Sequence, residues 1–197
     1  GIGQHLSINK NESQSFYLAI LDDNNDMNIA FNDMDIFEKI KERFVAIRDE
    51  LGLSYNVESD LDKLRASLSK DMSIDELVSR GEYFTSRLMA EYLGYYFLDA
   101  ASCIFMDYDG SFIASQIAES LKKALAEHNG IVIPGFYGAL PSGKIKVMSM
   151  GGRDSTGSLV AAGCNADLYE NWTDVSGILM ADPRIVDNPS PISKITY

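Results

Sequence analysis

From Tyr95 onward, short apolar runs alternate with helical patterns, and this alternation constrains the fold more than any other feature of the chain. "YYFLDA" is a run suited to a buried strand, Ile113 to His128 recurs at helical spacing with Gly130 after it, and "IVIPGF" is a second buried strand ending in Pro-Gly. "KIKVMSM" alternates as a strand, "DSTGSLVAAGCNA" is helical, and "DLYENWTDV" reads as extended again. Strands and helices taking turns predict parallel strands joined by crossover helices, hence a layered α/β domain. In open sheets of this kind ligands sit beyond the carboxyl ends of the strands, so the loops after Phe136, Met150 and Thr173 are expected to line one rim.

The first half of the chain is read differently. Phe16 to Leu21 and Met27 to Phe31 flank the polar "DDNND" and predict a hairpin. Ile36, Phe37, Ile40, Phe44, Ile47 and Leu51 recur at steps of three and four and stop at Gly52, which describes an amphipathic helix. A shorter helix carries Leu61, Leu64 and Leu68. Ser73 followed by Glu76 has the spacing of a capping box, and the helix it opens runs to Gly94.

Charge and composition narrow the functions available. Seventeen basic against twenty-nine acidic residues give a net charge of −12, which argues against a nucleic-acid surface built on clustered Lys and Arg. An anionic small molecule needs only local positive groups, and Lys144, Lys146, Arg153, Arg184 and Lys194 are available in the C-terminal half. No run of eighteen apolar residues and no hydrophobic signal core in "GIGQHLSINK" support membrane insertion or secretion, so a cytoplasmic location is expected. With two histidines far apart, neither a histidine zinc site nor a Ser-His-Asp triad is indicated, and no metal-ligating residues are singled out. Cys103 and Cys164 lack CxxC spacing and read as buried free thiols.

Chemistry converges on the rim. Gly151 and Gly152 stand before a helix, where bare amides can seat a phosphate; the structural alternative is that they only let a strand turn into a helix. Asp154 can orient a cation or serve as a plain N-cap. Thr173 and Asp174 can grip polar parts of a nucleotide or make an ordinary turn. Asp182, Pro183 and Arg184 form a turn whose guanidinium suits a phosphate or a surface ion pair. In "SRGEYF", Gly81 interrupts a helical pattern at a cost of about 1 kcal/mol, and Glu82 beside it suits a ligand amino group or solvent.

Together these residues resemble the amino acid kinase family, and within it the aspartate kinases. "NADLYENWTDVSGILMADPRIVDNP", Asn165 to Pro189, is similar to that group's nucleotide segment, in which Thr173, Asp174 and Arg184 match nucleotide-binding positions. "SRGEYF" resembles the Ser-x-Gly-Glu motif, placing Ser79, Gly81 and Glu82 at a pocket for aspartate. "IPGFYG" resembles the strand and loop that shape the substrate site, implicating Gly135, Phe136 and Gly138. The opening of "MGGRDS" resembles the family's Gly-Arg-Gly-Gly-Ser-Asp loop: Gly151, Gly152 and Asp154 match, Met150 stands where the arginine for the aspartate α-carboxylate is expected, and Arg153 replaces the serine. Leu179 replaces a usual tyrosine.

The resemblance implies a three-layer αβα sandwich with a mostly parallel central sheet, incomplete in this chain, and transfer of a phosphoryl group from ATP, with Mg²⁺, to the side-chain carboxylate of L-aspartate. A catalytically silent nucleotide-binding fragment and a related kinase acting on glutamate or acetylglutamate are the alternatives, and a homo-oligomer is compatible with each. The kinase-like part is expected over residues 37–197, without the family's Lys-Phe-Gly-Gly loop or C-terminal ACT domains. Residues 1–36 instead resemble a hairpin of ribokinase-like sugar kinases of the pseudouridine kinase type, an atypical N-terminal segment joined near Asp35.

Overall fold

Among the described residues, three helices precede the first strand. The structure, a computed structural model, describes residues 34–68, 72–148, 152–172, 179–181 and 185–192; the hairpin expected between Phe16 and Phe31 lies outside them. Helix α1 (Met34–Glu50) is followed by α2 (Val57–Ser67) and the longer α3 (Ile74–Leu93). The apolar positions of the three helices meet in one core, where Phe37, Phe44, Val57, Leu61, Leu64, Leu77, Phe84 and Leu88 are buried together. Burial of such side chains contributes about 1.5–3 kcal/mol each. Glu91, near the end of α3, ties this bundle together by accepting the Ser54 N–H at 2.7 Å, the Ser54 hydroxyl at 2.6 Å and the Tyr55 N–H at 2.9 Å.

The ends of α3 lie where the sequence puts them. The Ser73 hydroxyl accepts the Glu76 N–H, and Gly94 closes the helix in the left-handed conformation with φ of 69°. A side chain at Gly94 would be strained by its backbone alone. The helix continues unbroken through Gly81.

Beyond α3 come β1 (Tyr96–Phe97), a 3₁₀ turn (Ala100–Ser102), α4 (Ala114–Glu127), β2 (Ile131–Val132), β3 (Tyr137–Ala139), β4 (Ile145–Val147) and α5 (Gly152–Gly163). Strands β1 and β2 pair in parallel, Tyr96 opposite Ile131 and Phe97 opposite Val132, with α4 as their crossover. This is the βαβ unit expected from "YYFLDA" and "IVIPGF". A parallel bridge between Phe105 and Ala139 brings in β3. The strand from "KIKVMSM" differs in direction: β4 pairs antiparallel with β3, because the tight turn through Gly143 (φ of 79°) folds the chain straight back.

The extended reading of "DLYENWTDV" is corrected over its described part. Residues 168–172 join no strand, and Leu168 and Trp172 are 73% and 76% exposed, so these apolar side chains have no sheet to pack on.

A second core unites the strands with α4 and α5: Ala100, Cys103, Ile104, Met106, Ile117, Leu121, Tyr137 and Met148 are buried, with Ile131, Ile133, Val160 and Cys164 against them. The helices α4 and α5 approach so closely that a Cβ on Gly163 would lie 2.8 Å from Leu121 Cδ1. Helices α4 and α5 together with α3 give the helix, sheet, helix layering of a three-layer α/β domain. Both cysteines are free thiols; burial first, and then the Asp99 carboxylate, push the Cys103 thiol up to about 12. No helix among the described residues is long and apolar enough to cross a membrane.

Candidate active site

The sequence-predicted residues on α3 fall into two roles. Ser79 is fully buried, and its hydroxyl donates to the Glu76 carbonyl at 2.6 Å. The same oxygen accepts two N–H groups from Arg80, Nε at 3.1 Å and Nη2 at 2.9 Å. Its hydrogen-bonding capacity is thus committed inside the protein. Glu82, three residues further on, is half-buried on the neighbouring surface of the helix.

Gly135 and Phe136 sit immediately before β3. Phe136 has φ of 81°, a left-handed conformation uncommon for a bulky residue. Two hydrogen bonds hold it there: its N–H donates to Thr156 Oγ1 at 3.2 Å, and its carbonyl accepts the Met148 N–H at 2.7 Å. Gly138 is required by close approach, since a Cβ there would lie 2.5 Å from the Ile104 carbonyl oxygen.

Helix α5 begins at Gly152, so the bare backbone at its opening is a helix N-terminus whose first N–H groups have no intrahelical partner. Asp154 is the third residue of this helix and not its N-cap. Arg153 lies in the same turn. Thr156, one turn into α5, is 4% exposed and reaches back to Phe136, so the start of α5 and the Phe136 turn form one unit.

Met150, Gly151, Thr173, Asp174, Asp182 and Arg184 lie outside the described residues. Lys146, one of the cations available to an anion, is paired with Asp75 at 3.0 Å, linking β4 to the first turn of α3. Among the described residues no group of three or more His, Cys, Asp or Glu gathers as a metal site. A shallow depression lined by Tyr95, Tyr96, Glu127 and His128 lies at the amino ends of β1 and β2, away from the carboxyl-end rim.

Three residues were not singled out by the sequence. Thr156 reads there as one polar residue in a helix, and only its burial distinguishes it. Tyr137 is fully buried, and its hydroxyl donates to Asp99 Oδ1 at 2.7 Å. Burial first, and then the Asp99 carboxylate, hold that phenol far above the usual tyrosine range. Asp99 also caps the 3₁₀ turn after β1 by accepting the Ala101 N–H at 3.0 Å.

The model of the Amino acid kinase family matches residues 15–197. The chain belongs to the amino acid kinase family. Aspartokinase 3 of Bacillus subtilis is 34% identical over 178 residues, covering 83% of this chain and 39% of that protein. The crystal structure of Clostridium acetobutylicum aspartate kinase superposes with a TM-score of 0.79 at 42% identity, over 94% of this chain and 42% of that one. Escherichia coli aspartokinase III, solved in complex with aspartate and ADP, shares the fold with a TM-score of 0.72 at 23% identity, over 91% of this chain and 44% of that one. The chain spans about two fifths of the length of these amino acid kinase relatives.

Proposed function

We propose that the chain carries the substrate-binding part of an aspartate kinase, which transfers a phosphoryl group from ATP to the side-chain carboxylate of L-aspartate and yields 4-phospho-L-aspartate. The observation that carries this reading is the likeness to the Clostridium aspartate kinase, 42% identical over 94% of the chain. Two of the motifs support it: the Phe136 turn of "IPGFYG" is hydrogen-bonded to Thr156 in the helix that opens at Gly152 of "MGGRDS".

Phosphoryl transfer of this kind asks the protein for positioning and charge stabilisation more than for covalent chemistry. Glu82 holds the amino group of aspartate, and Gly135 and Phe136 shape the wall against which the substrate lies. Gly151 and Gly152 direct backbone amides at the transferred group, which the helix opening at Gly152 suits. Asp154 organises the neighbouring cations, and Thr173, Asp174, Asp182 and Arg184 hold the nucleotide. ATP supplies the phosphoryl group, and Mg²⁺ enters with it, bound mainly by phosphate and water oxygens. A cytoplasmic location and assembly as a homo-oligomer accompany this reading.

The test is aspartate-dependent release of ADP, with the acyl phosphate trapped by hydroxylamine. Slow release with aspartate, and none with glutamate or acetylglutamate, is the expected result, since Met150 stands at the arginine position. ATP binding without aspartate-dependent release favours the silent nucleotide-binding alternative, which the Met150 substitution at the arginine position supports. Arg184→Ala discriminates further: it weakens ATP and spares aspartate, by about 1.5–3 kcal/mol for one lost charge-assisted hydrogen bond.

A further inference from the structure

Arg80 stands in the middle of the Ser-x-Gly-Glu motif at the position that the motif leaves open. Its guanidinium donates from Nε and Nη2 to Ser79 Oγ and from Nε to the Glu76 carbonyl at 3.2 Å. It lies over the Tyr83 ring at 4.8 Å and over the Tyr137 ring at 5.7 Å, measured to the ring centroids. The Tyr137 hydroxyl donates in turn to Asp99, at the turn after β1. One connected series, Glu76, Ser79, Arg80, Tyr137 and Asp99, therefore joins α3 to β3 at Tyr137, the residue that follows Phe136, and to the turn after β1.

We infer that Arg80 and Tyr137 are positioning residues for the amino-acid substrate: they lock α3, and with it Glu82, against the Phe136 turn. The inference rests on the proposed function and deepens it. Residues two apart on a helix do not face each other, so Arg80 does not share a ligand with Glu82. Ser79, three positions before Glu82, does share its side of the helix, and both acceptor positions on Ser79 are taken by Arg80. Arg80 thus acts through the helix it braces. The ring of Tyr137 follows Phe136 in the chain and is itself fixed at both ends, by the guanidinium on its face and by Asp99 at its hydroxyl. A planar, delocalised cation suits this place and an ammonium does not, since only the guanidinium lies flat on a ring while its edge donates to a hydroxyl.

The test is calorimetric titration of the chain with L-aspartate and, separately, with ATP. Arg80→Gln is expected to weaken aspartate about tenfold and leave ATP within about twofold, and Arg80→Lys to behave like Arg80→Gln. Tyr137→Phe, which keeps the ring and removes the bond to Asp99, is expected to weaken aspartate about threefold and carries the test if the Arg80 variants fail to fold. The deciding readout is the double-mutant cycle: in the Arg80→Gln or Tyr137→Phe background, Glu82→Gln should cost at least about threefold less than in the parent. Additive losses, or equal losses for ATP and aspartate, would mark a general structural role and overturn the inference while leaving the functional reading intact. Failure of the parent chain to bind aspartate overturns the functional reading and this inference with it.

Discussion

Phe136 donates its N–H to the Oγ1 of Thr156 across 3.2 Å, and this bond joins a left-handed residue before β3 to a helix that begins sixteen residues further along the chain, at Gly152. Thr156 is buried, at 4% exposure, and Phe136 is half-buried. Thr156→Val keeps the volume and removes the acceptor, leaving a strained turn with an unpaired amide. We expect a stability loss of about 1–3 kcal/mol, read as a lower urea midpoint. Aspartate affinity should fall with it, because Phe136 loses one of the two hydrogen bonds that fix its conformation.

Gly138 supports the same region by its lack of a side chain. A Cβ there meets the Ile104 backbone oxygen at 2.5 Å and Ile104 Cγ2 at 2.9 Å. Backbone cannot swing aside as a flexible side chain does, so Gly138→Ala should separate β3 from the segment before it. A loss of about 1–3 kcal/mol is expected in the same urea measurement. Gly143→Ala is a useful contrast, since nothing lies near its Cβ and the cost there is that of a positive φ alone, about 1–2 kcal/mol.

What the sequence made legible follows from how local each signal is. The caps of α3, Ser73 and Gly94, are properties of four or five adjacent residues and were readable as such. The parallel pairing of β1 with β2 was readable because a helical pattern of crossover length separates two apolar runs. The direction of β4 was not, although Gly143 signals its turn, because pairing direction is settled by the partner strand. Residues 168–172 carry strand-forming side chains and still join no sheet, since propensity provides no partner. At the candidate site, Ser79, Glu82, Gly135 and Phe136 belong to short motifs. Asp99, Tyr137 and Thr156 were not legible, because their bonds span 38 and 20 positions and leave no local pattern.

Glu91 gives stability a pH dependence with a definite sign. Its carboxylate accepts the Ser54 hydroxyl, the Ser54 N–H and the Tyr55 N–H, and these bonds, the hydroxyl first, hold it below the usual glutamate range. A group depressed on folding contributes stability above its unfolded value and loses it as pH falls through the folded one. Glu91→Gln should therefore cost about 1 kcal/mol at neutral pH, the low end for a charge-assisted site that is partly exposed. The gap between parent and variant should close on acidification below the glutamate range. A gap that is the same at neutral and acid pH would mean that the charge contributes nothing.

The riskiest expectation concerns Met150 and Arg153, which stand where the resemblance places an arginine and a serine. A thioether cannot pair with a carboxylate, whereas a guanidinium offers two parallel donors to one. Installing those two residue types, Met150→Arg with Arg153→Ser, should thus restore a partner for the α-carboxylate of aspartate and tighten its binding by about 1–3 kcal/mol. β-Alanine, which is aspartate without the α-carboxylate, should gain nothing. Turnover need not rise in step, because neutralising the transferred group is a separate requirement from holding the substrate. Titration of both ligands into the parent and the double variant decides the matter: equal aspartate affinities would overturn the displaced-arginine reading, and an equal gain for β-alanine would assign the new arginine to the reacting carboxylate instead.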